Sequence, residues 1–167
     1  IDLKPAFGPD GSFSLGNYRY RSYDVVDIPD CVVQCPENMQ FYRVLKKFLI
    51  EKIEKDKISN IKQISARTLG PQQHVLVQLA DPPEEADSNK WRDFFNENPS
   101  LSKLELCGES ASFLTLMREK EPFTFMKRTW VVSPKSFFQN NVEGAEAIYY
   151  TLISIYENLA QKGKFID

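Results

Sequence analysis

Ser133 to Asn141, Ser-Pro-Lys-Ser-Phe-Phe-Gln-Asn-Asn, holds the residues best suited to chemistry in this chain. Phe137, Gln139 and Asn141 stand at alternate positions, F-x-Q-x-N. An aromatic ring can stack on a planar base, and a glutamine two residues on can read that base's edge through paired amide donor and acceptor atoms. The same stretch also has a purely structural use. Pro134 ends a strand, Phe137 and Phe138 pack, and Asn140 or Asn141 caps the following helix. Against that use, Gln139 has no capping role, and two consecutive loop phenylalanines present more aromatic surface than packing needs. On the residues alone both readings stay open.

Other chemistry is thinly represented. The sequence has no Gly-rich phosphate loop, no H-E-x-x-H and no G-x-S-x-G. Its single histidine, His74, opens a strand beside a turn and reads as an ordinary surface residue. The carboxylates lie mostly in charged helix faces such as Glu84-Glu85, and no acid–base pair stands out. Cys31 and Cys35 form C-x3-C, but no second ligand pair follows at metal-site spacing, so no zinc site is expected. With Cys107 the count is odd, which argues against a disulfide framework and for a reducing compartment. On its own residues this is not a complete enzyme.

A net charge of −2 does not advertise nucleic-acid binding. Locally, Arg43 to Lys62 carries seven basic residues against three acidic ones. The bland reading is the solvated face of a helix; the alternative is a contact with an RNA backbone through Arg43, Lys46 and Lys47. With 167 residues, 42% apolar and 26% charged, the composition is that of one ordinary globular domain. No apolar run approaches the roughly 20 residues that span a bilayer, and no signal-peptide pattern is seen. The chain opens at Ile1 and closes on Phe165-Ile166-Asp167, a few residues into what reads as a new strand. A piece of a larger protein is the expectation.

The elements that must position the loop follow from periodicity and turn chemistry. Residues 1–26 read as a meander of short strands bent at Gly8-Pro9-Asp10-Gly11 and Gly16-Asn17. Pro36 opens a helix that runs to about residue 55, with Phe41, Val44, Leu45, Phe48, Leu49 and Ile53 on its apolar face. Strands at 61–67 and 74–79 form an antiparallel hairpin. A second helix covers 81–98 and buries Trp91, Phe94 and Phe95. A strand pair at 103–107 and 112–117 follows, then one strand from Phe123 to Val132. The last helix starts near Asn141, buries Ala145, Ile148, Tyr149, Leu152, Tyr156 and Leu159, and stops at Gly163. This order predicts an α+β fold with a largely antiparallel sheet and about three helices.

Ser133-Pro134-x-x-Phe137-Phe138-Gln139-x-Asn141-x-x-x-Ala145-Glu146-x-x-Tyr149 closely resembles the loop and helix of the RNA (uracil-5-)-methyltransferases. Those enzymes carry it just before the first strand of a Rossmann domain that binds S-adenosylmethionine. Weaker likenesses lie upstream, at Gly8 to Gly11, Leu15 to Tyr18, Val25 to Cys31 and Ile64 to Thr68. The last of these is most like the eukaryotic tRNA enzymes.

The resemblance implies a central domain at 1–132, followed at 133–167 by the loop and helix leading into a cofactor domain that this sequence does not include. Phe137 would then flank the target uracil and Gln139 would bond its edge, with Gln139 and Asn141 near the methyl donor. Extruding a uridine costs a few kcal/mol of stacking and pairing, which such contacts help offset. The implied chemistry is thiolate addition to uracil, methyl transfer from S-adenosylmethionine to C5, then proton removal and elimination. The nucleophilic cysteine and the general base of that family both lie downstream of its loop and helix, so no catalytic residue is assigned here and the piece alone is expected to be inactive. Some bacterial members hold an iron–sulfur cluster partly through a cysteine placed like Cys31. Their three upstream cysteines have no counterpart, so no metal is expected. The partner implied is RNA, most like tRNA, for a monomer with no membrane role. It would work inside the cell, in cytoplasm or nucleus, with the mitochondrion a further compartment. Two alternatives are a ribosomal RNA enzyme of the same chemistry and a non-catalytic α+β interaction module.

Overall fold

A computed structural model describes residues 1–70, 72–119, 122–130 and 141–158. Seven strands form one sheet: β1 (Asp2–Phe7), β2 (Phe13–Tyr18), β3 (Val25–Asp27), β4 (Ile61–Leu69), β5 (Gln72–Leu79), β6 (Leu101–Cys107) and β7 (Ser112–Met117), in the spatial order β3-β2-β1-β4-β5-β6-β7. Four helices are described, α1 (Pro36–Lys52), α2 (Lys55–Ser59), α3 (Glu85–Glu97) and α4 (Val142–Glu157). The fold is therefore α+β with a largely antiparallel sheet, as its hairpin-rich pattern predicts. One pairing departs from that pattern: β5 and β6 run parallel, joined through α3. A parallel pair needs a long crossover, and α3 supplies it.

The core lies between the sheet and helices α1 and α3. Leu3, Leu45, Leu49, Ile64, Val75, Val77 and Leu104 are fully buried there. The two helices meet through aromatic rings, with Phe48 centred 4.9 Å from Trp91 and 4.4 Å from Phe94. Such pairs add to area burial because ring edges and faces carry opposite partial charge. Val44, counted with the apolar face in the sequence, turns outward and is exposed.

Helix boundaries shift for identifiable reasons. Helix α1 ends at Lys52 because Ile53 takes extended dihedrals and buries its side chain in the core. The single turn α2 follows. Helix α3 starts at Glu85 rather than 81, because the Asp81 N–H donates to the Asn60 side chain at 2.8 Å and so ties the end of β5 to the end of α2. At the other end, Arg118 donates to the carbonyls of Phe95 and Asn98, acceptors that a helix terminus leaves open, and to that of Leu101 at the start of β6.

Two glycines are required by their surroundings. A Cβ on Gly16 would lie 1.8 Å from the Val26 carbonyl oxygen, so only glycine lets β2 and β3 approach. Gly70, in the turn between β4 and β5, has φ +56°, a region that costs other residues.

The expected strand from Phe123 to Val132 is instead a hairpin, β8 (Phe123–Phe125) and β9 (Arg128–Trp130), forming a separate two-stranded sheet. Met126 and Lys127 between them both have positive φ, 51° and 61°, the signature of a type I′ turn. Neither residue announces such a turn. A tertiary contact supports it: the Met126 N–H donates to the Glu146 carboxylate of α4 at 2.7 Å. Val131 and Val132 lie outside the described residues.

Candidate functional site

Asn141 is the described end of the F-x-Q-x-N stretch, and it caps α4. Its side-chain oxygen accepts from the Gly144 N–H at 2.8 Å, satisfying one of the open donors of the first turn. Phe137 and Gln139 lie outside the described residues. For Asn141 the capping role is therefore real.

Helix α4 is docked through its N-terminal half. Ala145 and Val142 pack on Leu69, Phe123 and Phe125, and the Phe125 and Tyr149 rings meet edge to face at 6.0 Å. The rest of its expected buried face is open. Ile148 is 62% exposed, Tyr149 43% and Leu152 42%. Tyr156 is partly buried, and Leu159 and Gly163 are outside the described residues, which end with Asn158 as the helix cap. The error has a physical cause: periodicity marks a face that wants cover without saying whether this chain supplies it.

The start of α4 and the start of α1 border a common cleft of roughly 740 Å³, lined by Cys35, Pro36, Glu37, Gly70, Asn141 and Glu143 among others. Beneath it lies a polar network that the sequence does not announce. Thr68 donates to Asn38 at 2.8 Å, the Gln73 amide donates to Thr68 at 3.2 Å, and Ser102 donates to the Gln73 carbonyl at 3.0 Å. Asn38, Gln73 and Ser102 are all buried. Buried polar groups in a satisfied network fix one geometry, because any shift strands a donor in low dielectric. The cleft thus stands on a rigid floor.

The three proposed RNA-contacting cations share one face of α1. Arg43, Lys46 and Lys47 border a groove of roughly 400 Å³ together with Pro29, Tyr42 and Ile50. Their roles diverge. Lys46 is paired with Asp27, whose carboxylate also accepts from the Leu15 N–H at 2.6 Å. The Tyr42 hydroxyl donates to the Leu15 carbonyl at 2.9 Å, and burial followed by the Asp27 charge raises its pKa to about 12. Lys46 therefore holds the β2–β3 hairpin to α1, while Arg43 and Lys47 are exposed. Further along the basic run, Lys57 is paired with Glu84 and Lys62 with Glu109 at 3.2 Å. Much of the local positive excess is thus neutralised by folding.

His74 is half-buried rather than on the surface. Burial lowers its pKa, with the Lys103 charge adding to the effect. Cys31 and Cys35 are half-buried and Cys107 is buried. Among the described residues no group of three or more metal-ligating side chains comes together, and no helix is long and apolar enough to cross a membrane.

A largely antiparallel seven-stranded sheet, covered by α1 and α3 and followed by a small hairpin and a helix, defines the α+β class of this chain. Among solved structures the chain is similar to the tRNA (uracil-54, C5)-methyltransferase of Pyrococcus abyssi, determined in complex with S-adenosyl-L-homocysteine, with a TM-score of 0.66 over 95% of this chain at 17% identity. The chain spans 40% of the length of that enzyme. No family model matches the sequence, and no curated protein matches it. At this identity the likeness establishes a common fold.

Proposed function

We propose that this chain is the RNA-docking and base-pocket portion of an S-adenosylmethionine-dependent RNA (uracil-5-)-methyltransferase acting on tRNA. The observation that carries the proposal is the fold shared along 95% of the chain with a tRNA uracil methyltransferase. The F-x-Q-x-N stretch ahead of α4 supports it from the sequence side. Phe137 flanks the extruded uracil and Gln139 hydrogen-bonds its edge. Asn141 sets the start of α4 and so fixes where that loop ends.

Among the described residues there is no Gly-rich turn between a strand and a helix, the arrangement that binds dinucleotide-like groups. Asn141 uses one lone pair of its amide oxygen on the helix cap. S-adenosylmethionine, the nucleophile and the general base belong to the remainder of the parent enzyme. The share of the chain is to present the base and bind RNA around it.

The test is methyl transfer by the complete gene product that contains this chain. Labelled methyl groups should pass from S-adenosylmethionine to uridine C5 in tRNA transcripts. Gln139→Ala should lower kcat/KM by about 100-fold, the loss expected for a buried base-edge bond made in the transition state. Folding should be unchanged, because Asn141 supplies the cap of α4. Full turnover by a folded Gln139→Ala enzyme would sink the assignment of that residue. A gene product that methylates ribosomal RNA but not tRNA would move the substrate and leave the chemistry. One that methylates neither would end the proposal.

A further inference from the structure

The tip of the β2–β3 hairpin is a second surface built for contact. Its sequence is Tyr18-Arg19-Tyr20-Arg21-Ser22-Tyr23, three aromatics interleaved with two arginines. Tyr20 is 82% exposed and Tyr23 91%. Aromatic side chains normally bury most of their surface, so two open rings at one turn need a reason.

Packing does not supply that reason, yet the tip is ordered. The Arg19 N–H donates to the Asp24 carbonyl at 2.8 Å and the Ser22 N–H to the Arg19 carbonyl at 3.0 Å. The Ser22 hydroxyl oxygen accepts from the Asp24 N–H at 2.8 Å, and Arg21 sits at φ 56° to close the turn. Tyr18 and Tyr23 meet edge to face across the hairpin at 5.9 Å, and the Arg21 guanidinium lies 5.1 Å from the centre of the Tyr20 ring. At the base, Asp27 joins the hairpin to α1 through Lys46. Rings held in place beforehand lose little freedom when a ligand stacks on them.

We infer that this hairpin tip binds unstacked RNA bases, with Tyr20 and Tyr23 as stacking platforms and Arg19 and Arg21 as phosphate partners. Aromatic rings supply sequence-tolerant stacking and arginines supply charge, the pairing that single-stranded nucleic acid calls for. The positive charge is local in a chain whose net charge is −2, so it steers an anion to this spot rather than to the whole surface. The choice of RNA as the anion rests on the function proposed above.

The test uses the 167-residue chain with two probes, a tRNA transcript and a short single-stranded oligoribonucleotide carrying 4-thiouridine. Tyr20→Ala with Tyr23→Ala should weaken binding of both probes at least tenfold, since each lost stack is worth about that much. The corresponding phenylalanine pair should bind nearly as well as the wild type, because the ring does the stacking. Arg19→Ala with Arg21→Ala should flatten the dependence of log K on log salt by about 1.4, about 0.7 per lost phosphate contact. Photocrosslinks should map to residues 18–24. Thermal melting should not move in any of these variants, because the four side chains are exposed. RNA binding left intact in both alanine pairs, with crosslinks elsewhere, overturns the hairpin site while leaving the methyltransferase reading standing. A chain that binds neither probe also overturns it, and the methyl-transfer assay then decides the parent function separately.

Discussion

Leu45 of α1 and Leu152 of α4 occupy alike positions on two apolar helix faces, yet one is wholly buried and the other 42% exposed. Helix α1 meets a seven-stranded sheet and the aromatic side of α3. Among the described residues, helix α4 packs on the small β8–β9 hairpin and Leu69 through its first turns. Apolar patterning states a demand for cover. The body of the domain meets that demand within itself, and the C-terminal helix meets it only in part.

The widest gap between the two regions should come from truncating each leucine. Leu45→Ala should destabilise the chain by about 2–5 kcal/mol, the range for deleting buried methyl groups in a packed core. Leu152→Ala should change stability by less than about 0.5 kcal/mol, as exposed sites do. Urea melts of the two variants give the comparison directly. Equal losses would mean that something covers α4 in solution.

A smaller effect, of about 1–2 kcal/mol, should follow Asp27→Ala. Its carboxylate is the common partner of Lys46 and the Leu15 N–H, and a charged acceptor is worth more than a neutral one, less what solvent screens. Amide exchange should then speed up at Leu15. This variant tests whether the body owes its order to polar ties as well as to apolar burial.

Asn141→Ala should cost α4 about 1 kcal/mol of local stability. Exchange of the Gly144 amide should rise about fivefold for that free energy. Asn141→Asp should restore the cap. Little change in the global urea midpoint would fit a helix whose unfolding is local, in contrast to α1.

The smallest effect concerns pH. The folded chain holds the His74 pKa below its ordinary 6.5, so the unfolded chain binds the proton more readily. Its contribution to stability is complete above about pH 6.5 and is lost as pH falls through that value toward the folded-state pKa. His74→Gln should flatten the stability curve in that window. A curve of unchanged slope there would return His74 to the surface role that its neighbouring turn suggests.

How far the residues spoke for themselves differs between the same two regions. In the body, Pro36 at the head of an apolar 3.6-residue repeat and the Gly-Pro turns placed nearly every element. In the C-terminal region the local signal failed twice. Met126-Lys127 carries no turn composition, and the turn there leans on Glu146, twenty residues away. The apolar face of α4 gave a helix correctly and its burial wrongly. The candidate site divides the same way. Asn141 was legible as a cap because capping chemistry is local. The Asn38–Thr68–Gln73 network was not, since nothing in a polar residue's neighbours along the chain tells that it will be buried.

The sequence by itself determined the kinds of element, the α+β class and the helix cap at Asn141. Periodicity, turn composition and side-chain functional groups act over a few residues and need no fold to be read. The tertiary structure alone decided the parallel pairing of β5 with β6, the splitting of residues 123–130 into a hairpin and the drafting of Lys46 away from solvent to Asp27. It also left α4 half covered. Each of these depends on which distant surfaces meet, and on whether the free energy of that meeting outweighs the local preference.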